Sequence, residues 1–159
     1  MPQKITPYLW FDSNAEEAMN FYLSVFKNSK AGEMSRWGEG GMGAPGSVIV
    51  ANFEIEGQQF AALNGGPEFK FNEAISFLID CKDQEEVDYY WNALLADGGQ
   101  ESVCGWLKDK FGVSWQVVPS ILNEFVADPN PAKSAAVIQA MLKMVKIEID
   151  KLQAAYDQA

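Results

Sequence analysis

Apolar and polar side chains alternate over Ile5–Phe11 (ITPYLWF). That period of two predicts a strand with Ile5, Pro7, Leu9 and Phe11 on one face and Thr6, Tyr8 and Trp10 on the other. Pro7 has no N–H to donate, so the strand is expected at a sheet edge or with an irregular start. Ser13-Asn-Ala-Glu16 then matches an S-x-x-E capping box. Ala15, Ala18, Met19, Tyr22, Val25 and Phe26 recur at helical spacing, which predicts a helix to about Phe26, ended by Asn28–Gly32. Glu33–Trp37 reads as a short strand and Gly38–Gly46 as a long glycine-dense loop. Ser47–Glu56 and Gln59–Asn64 read as two strands joined at Gly57-Gln58, and Gly65-Gly-Pro67 breaks the pattern.

The order then recurs. Glu73–Cys81 is a predicted strand, Asp83-Gln-Glu-Glu86 a second box-like start, and a helix follows to about Ala96 with Val87, Tyr90, Trp91, Leu94 and Leu95 inward. Extended pieces near Gln100–Val103, Gly105–Lys108 and Val113–Val118 complete the set. Strand–helix–strand–strand–strand occurs twice, and the evidence for a repeat is this order and its punctuation. The expected fold is α+β: two βαβββ modules, 1–67 and 68–119, forming a cup-shaped mixed or antiparallel sheet. Past Pro119 a C-terminal helical extension, 120–159, is expected. It comprises a short helix at Ser120–Val126, a break at Asp128-Pro-Asn-Pro131 and one long amphipathic helix from Ala132 to about Asp157. The stripe of that helix, Ile138, Met141, Leu142, Val145, Ile149, Leu152 and Tyr156, packs either on its own subunit or against a second copy.

The stretch Cys104–Pro119 carries the most chemical information. Lys108-Asp-Lys-Phe-Gly112 reads as the turn of a hairpin, with Gly112 free to take a positive φ. In the strand after it, Val113, Trp115 and Val117 alternate with Ser114, Gln116 and Val118. Gln116, an amide in mid-strand, requires a partner. It is either a ligand-orienting group or a structural amide satisfied by neighbouring strands.

Composition narrows the classes. Of 159 residues 48% are apolar and 13% aromatic, enough for a real core, and the net charge of −10 argues against nucleic acid and anionic membranes. No apolar run approaches a membrane span and no signal peptide is evident, so a cytoplasmic protein is expected. Cys81 and Cys104 form neither a disulfide framework nor a metal knuckle and read as reduced thiols. Histidine is absent, which removes Ser-His and Cys-His dyads and every histidine metal site. Catalysis, if any, rests on Asp, Glu, Tyr, Lys, Cys or bound water.

Cys104 has no histidine to activate it and reads as a packed thiol. The Gly38–Gly46 loop leads into a strand rather than a helix, so it reads as a mobile flap and not a phosphate cradle. Asp12-Ser-Asn-Ala lacks the glycine-rich turn expected of a methyltransferase using S-adenosylmethionine. Tyr8, Trp10, Arg36, Phe53 and Trp106 are candidates for an aromatic pocket with one cation, suited to an apolar, planar guest.

Pro-Tyr-Leu-Trp-Phe at 7–11, Glu17-Ala-Met-Asn-Phe-Tyr22, Leu63-Asn-Gly-Gly-Pro67, Cys104-Gly-Trp-Leu-Lys-Asp109 and Trp115-Gln-Val-Val-Pro119 resemble the PhnB-like family. That family lies in the vicinal-oxygen-chelate (glyoxalase/bleomycin-resistance/dioxygenase) superfamily, and its members are often labelled 3-demethylubiquinone-9 3-methyltransferase domain proteins. The resemblance extends over nearly the whole chain, including Ala140-Met-Leu-Lys-Met144. It implies a fold whose enzymes bind a divalent metal through four side chains, one from the first and one from the last strand of each repeat. Here those positions fall at Thr6 or Tyr8, at Ala61, at Ala74 or Ser76, and at Gln116, where metal-binding relatives carry Glu. One neutral amide does not hold a divalent ion, so no metal and no cofactor are expected. The reading is a metal-free small-molecule binding protein, a homodimer as superfamily members commonly are, holding an apolar or aromatic ligand in the cup with Gln116 as polar anchor. The alternatives are an enzyme (a lyase or isomerase, or the methyltransferase of the family label) and an interaction protein working through the C-terminal helix.

Overall fold

In the computed structural model, which describes residues 3–159, the expected order occurs twice. The first series is β1 (Tyr8–Phe11), α1 (Ala15–Val25), β2 (Ser29–Arg36), β3 (Val48–Ile55) and β4 (Gln58–Asn64). The second is β5 (Ser76–Cys81), α2 (Gln84–Leu95), β6 (Gln100–Glu101), β7 (Trp106–Lys108) and β8 (Ser114–Pro119), followed by α3 (Ser120–Val126), α4 (Pro131–Met141) and α5 (Ile149–Gln158). The chain divides into two compact units between Phe71 and Asn72, and the three C-terminal helices belong to the second. Strand order is β1-β4-β3-β2 in one sheet and β5-β8-β7-β6 in the other. In each sheet the first strand runs parallel to the last and the other neighbours are antiparallel. The class is α+β and the repeat is real.

In the first unit, α1 buries Ala15, Ala18, Met19, Tyr22 and Val25, the stripe its spacing predicts. Tyr22 stacks at 6.0 Å on Phe53, which stacks at 5.6 Å on Phe60. Each such fully buried side chain contributes about 1.5–3 kcal/mol of hydrophobic stabilisation. β1 takes the sheet edge that Pro7 indicated.

The helix start differs from expectation. Asn14, not Ser13, is the N-cap residue, and it makes no side-chain cap bond. The Ala15 N–H instead donates to Asn64 Oδ1 at 2.8 Å. Phe11 and Asn64 are register partners, so the end of β4 lies beside the start of α1, and Glu16, which the box would need, faces Arg36 at 3.7 Å. β2 also begins earlier than predicted, at Ser29. Its residues are mostly exposed on both faces, and what defines it is the ladder to β3, interrupted by a bulge between Ala31 and Met34.

In the second unit, α2 is capped as expected: Asp83 accepts the Glu86 N–H at 2.9 Å, and Val87, Trp91 and Leu94 are buried. The long C-terminal helix is not formed. α4 ends at Met141, α5 starts at Ile149, and the segment between them is captured by backbone far away in sequence. The N–H groups of Cys104 and Gly105 each donate at 2.8 Å, to the carbonyls of Met144 and Val145. Gln84 donates to the Ile147 carbonyl at 3.0 Å and accepts the Ile149 N–H at 2.7 Å, capping α5. A continuous helix would spend those carbonyls internally. The break turns Met144 and Ile147 into a cluster with Val118, Leu122, Phe125, Val137 and Leu152, while Leu142 and Val145 of the predicted stripe are 54% and 42% exposed. The extension therefore packs on its own unit. No helix among the described residues is long and apolar enough to cross a membrane.

Candidate functional site

The turn joining β7 to β8 is organised by one carboxylate that sequence reasoning passed over as a possible site. Asp109, 3% exposed, accepts the N–H groups of Phe111 and Val113 and the indole N–H of Trp115, at 2.9, 3.1 and 2.9 Å. The first bond is an Asx-type turn, so an Asp two residues before Phe111 in a glycine-closed turn was the available signal. Gly112 takes φ +89, as the tight turn requires. Upstream, Cys104 and Gly105 both have positive φ. A Cβ on Gly105 would stand 2.8 Å from the Val117 carbonyl oxygen, so the position demands glycine on two counts. Cys104 thus serves the chain through its backbone. Cys81 is buried, and burial together with the nearby Glu86 and Asp80 carboxylates pushes its thiol up to about 12.

With Trp115 held toward Asp109 and α2 packed over Cys81, Leu107 and Val117, alternation sends the other side chains to the opposite face of the second sheet. There Trp106 sits directly opposite Gln116 and Lys108 opposite Ser114, while on the other flank Ser76 adjoins Ser114 and Leu78 adjoins Gln116. Gln116 Nε2 donates to Ser76 Oγ at 2.9 Å. Ser114 is 2% exposed, and its Oγ has no hydrogen-bond partner among the described residues. Lys108 pairs with Glu73, and the hydrogen bond from Lys108 holds the Glu73 carboxyl below the usual range. Trp106, Lys108, Ser114, Glu73 and Gln100 are among the residues lining a cleft of about 200 Å³.

The remaining candidates separate. Tyr8, 62% exposed, and Trp10 share a face of the first sheet with Ala61 and Leu63. The Trp10 indole donates to the Gly66 carbonyl at 2.9 Å and meets Phe69 edge-on at 4.9 Å. Gly65 lies so close to that ring that a Cβ would stand 2.4 Å away, and Gly66 takes φ +97, which together account for the glycine pair of Leu63–Pro67. Phe53 is on the opposite face, 1% exposed in the core under α1, and has no surface left for a ligand. Arg36 is drawn toward α1 by Glu16 and donates to the Gly46 carbonyl. The Gly38–Gly46 loop folds over Trp37: Trp37 exchanges backbone bonds with Gly46 and Ser47, and Gly41 and Gly43 abut its ring.

The superfamily's metal can be tested against these positions. Tyr8 and Ala61 are direct neighbours in the first unit, and Ser76 and Gln116 are bonded to each other in the second. A phenol, a methyl, a hydroxyl and an amide supply no carboxylate, thiolate or imidazole, so these residues do not fit a divalent ion. Among the described residues no group of three or more Cys, Asp and Glu is arranged to hold one elsewhere.

The paired βαβββ units define a member of the vicinal-oxygen-chelate superfamily. Within it, the profile of the 3-demethylubiquinone-9 3-methyltransferase family matches residues 3–118, and the chain belongs to that PhnB-like family. A PhnB protein from Bacillus cereus, carrying the same methyltransferase label, is 40% identical with a TM-score of 0.67. The similarity covers 74% of this chain and 99% of that one. Protein PA1353 from Pseudomonas aeruginosa shares the fold at 22% identity and a TM-score of 0.61, over 74% and 98% of the two chains. The fosfomycin resistance protein FosX from Listeria monocytogenes does so at 19% identity and 0.52, over 78% and 96%. No curated protein matches. The family match stops at 118, so Ala140–Met144 lies outside it, contrary to the span expected from the motifs.

Proposed function

We propose that the chain is a metal-free small-molecule binding protein that holds an apolar or aromatic ligand against the sheet face turned away from α2. The observation that carries this reading is the placement of Trp106 directly opposite Gln116, an aromatic platform beside an amide, next to a cleft. The Gln116 carbonyl oxygen serves as polar anchor while its N–H is directed by Ser76. The donor set at the superfamily's metal positions argues for binding without a divalent ion. A cytosolic homodimer fits the unpaired thiols and the exposed Tyr8 and Leu78.

The methyltransferase named in the family label has less behind it. A methyltransferase using S-adenosylmethionine is expected to carry a glycine-rich turn after the first strand of a parallel sheet. Here β1 leads into Asp12-Ser-Asn-Ala, and its sheet is mixed, not parallel. Native mass spectrometry of untreated protein tests the reading, because it reports oligomer, metal and retained ligand together. The expected species is a dimer with a small organic molecule and no metal. Stoichiometric zinc, nickel, manganese or iron would overturn it.

A further inference from the structure

Ser114 Oγ is a buried side-chain oxygen with no hydrogen-bond partner among the described residues, and such a group calls for an explanation. Its surroundings supply one. Lys108 lies directly opposite Ser114 on one flank and Ser76 on the other, and Glu73 precedes Ser76 by three residues. The Lys108–Glu73 pair therefore links β7 to the turn that leads into β5, on either side of β8. It is a surface pair, its side chains 34% and 61% exposed, and pairs of that kind are weakly held. If Glu73 swings out, an ammonium and a hydroxyl face the cleft together. The ammonium only donates and the hydroxyl has a proton to give, so a group that accepts at two points, as a carboxylate does, satisfies both. The Glu101 carboxylate, also at the cleft, accepts the Trp91 indole N–H at 3.3 Å.

We propose that the cleft takes a small planar carboxylate. Its oxygens replace the Glu73 carboxylate on Lys108 and accept the Ser114 O–H, and its ring lies against Trp106. This rests on the binding role proposed above and adds the ligand's chemical class. Glu73 is then a chain-borne stand-in for the ligand. A volume of about 200 Å³ is that of roughly six or seven waters, enough for one ring and its carboxylate.

The test is a titration of the ¹⁵N-labelled full chain with benzoate and with its neutral isostere benzamide, following the Trp106 indole and Gln116 side-chain amide resonances. Benzoate is expected to bind at least about fivefold more tightly than benzamide, as hydrogen bonds to a charged group are stronger than neutral ones. Glu73→Gln, which removes the internal competitor, should tighten benzoate about threefold. Lys108→Met should weaken benzoate about tenfold and leave benzamide within about twofold, and Ser114→Ala should weaken benzoate about fivefold. Equal affinity for the two probes, or weaker benzoate binding by Glu73→Gln, overturns the carboxylate assignment and leaves the aromatic cleft standing. If neither probe shifts the Trp106 and Gln116 resonances, the binding role itself falls, and this inference with it.

Discussion

Asn64, at the end of β4, accepts the backbone N–H of Ala15 at 2.8 Å and donates to the carbonyl of Val48 at 3.1 Å. One side-chain amide thus caps α1 and ties β4 to β3 at the same end of the sheet. Removing it leaves a helix N–H and a strand carbonyl without partners. Asn64→Ala should lower the unfolding free energy by about 1–3 kcal/mol, whereas Ser13→Ala should change it by less than about 0.5 kcal/mol. Urea denaturation of the two variants decides the matter. A larger loss at Ser13 would restore the capping box.

The contrast between Ser13 and Asn64 shows where sequence reading stops. The stripe of α1 and the alternation of β1, β5 and β8 are periodic, and periodicity is local, so the repeat, the α+β class and the shared face of Ser114 and Gln116 were legible. The cap on Ala15 comes from a residue 49 positions away and the cap on Ile149 from one 65 positions away, and no local pattern encodes either. Phe53 was misplaced because β3 carries apolar residues on both faces, Val48 and Val50 against Ala51 and Phe53, so alternation does not say which face meets α1. Arg36 follows a shift in the β2–β3 register, which displaces its side chain from the simple alternation. Ser114 was visible as a polar residue in an apolar strand; its lack of a partner required coordinates.

Gln84 fixes the start of α5. Its amide takes the Ile147 carbonyl and the Ile149 N–H, so Gln84→Ala uncaps α5 and frees the carbonyl that ends the connecting segment. The expected loss is about 1–3 kcal/mol, with faster amide exchange across Ile149–Gln158 than across α2. Gly105→Ala should be worse than Gln84→Ala, because a Cβ there meets the Val117 carbonyl and φ is +82. Exchange that stays slow in α5 of Gln84→Ala would mean that the apolar cluster alone fixes the break.

Ser114→Ala has opposite consequences for stability and for binding. In unliganded protein the Ser114 hydroxyl is buried without return, so replacing it with a methyl group should raise stability by about 1 kcal/mol. In a chain of this size that corresponds to a melting temperature about 2–4 °C higher. Thermal melts in a buffer free of carboxylates provide the check. A lower melting temperature would show that the hydroxyl is bonded in the free protein and is not reserved for a ligand.

Cys81 gives the chain a pH dependence on the alkaline side. Its thiol is neutral when protonated, and burial, reinforced by the charges of Glu86 and Asp80, raises it from 9.0 to about 12. Below the unfolded value both states keep the proton and the thiol has no effect on the equilibrium. Between that value and the folded one, the unfolded chain releases its proton while the folded chain retains it, so stability falls as pH rises, at up to about 1.4 kcal/mol per pH unit. Denaturation midpoints from about pH 8 to pH 11 should therefore decline more steeply in the native sequence than in Cys81→Ala. The cost of the smaller side chain shifts that variant's whole curve down but not its slope. Parallel curves would mean that Cys81 ionises as readily folded as unfolded, and that its burial beneath α2 is not maintained in solution.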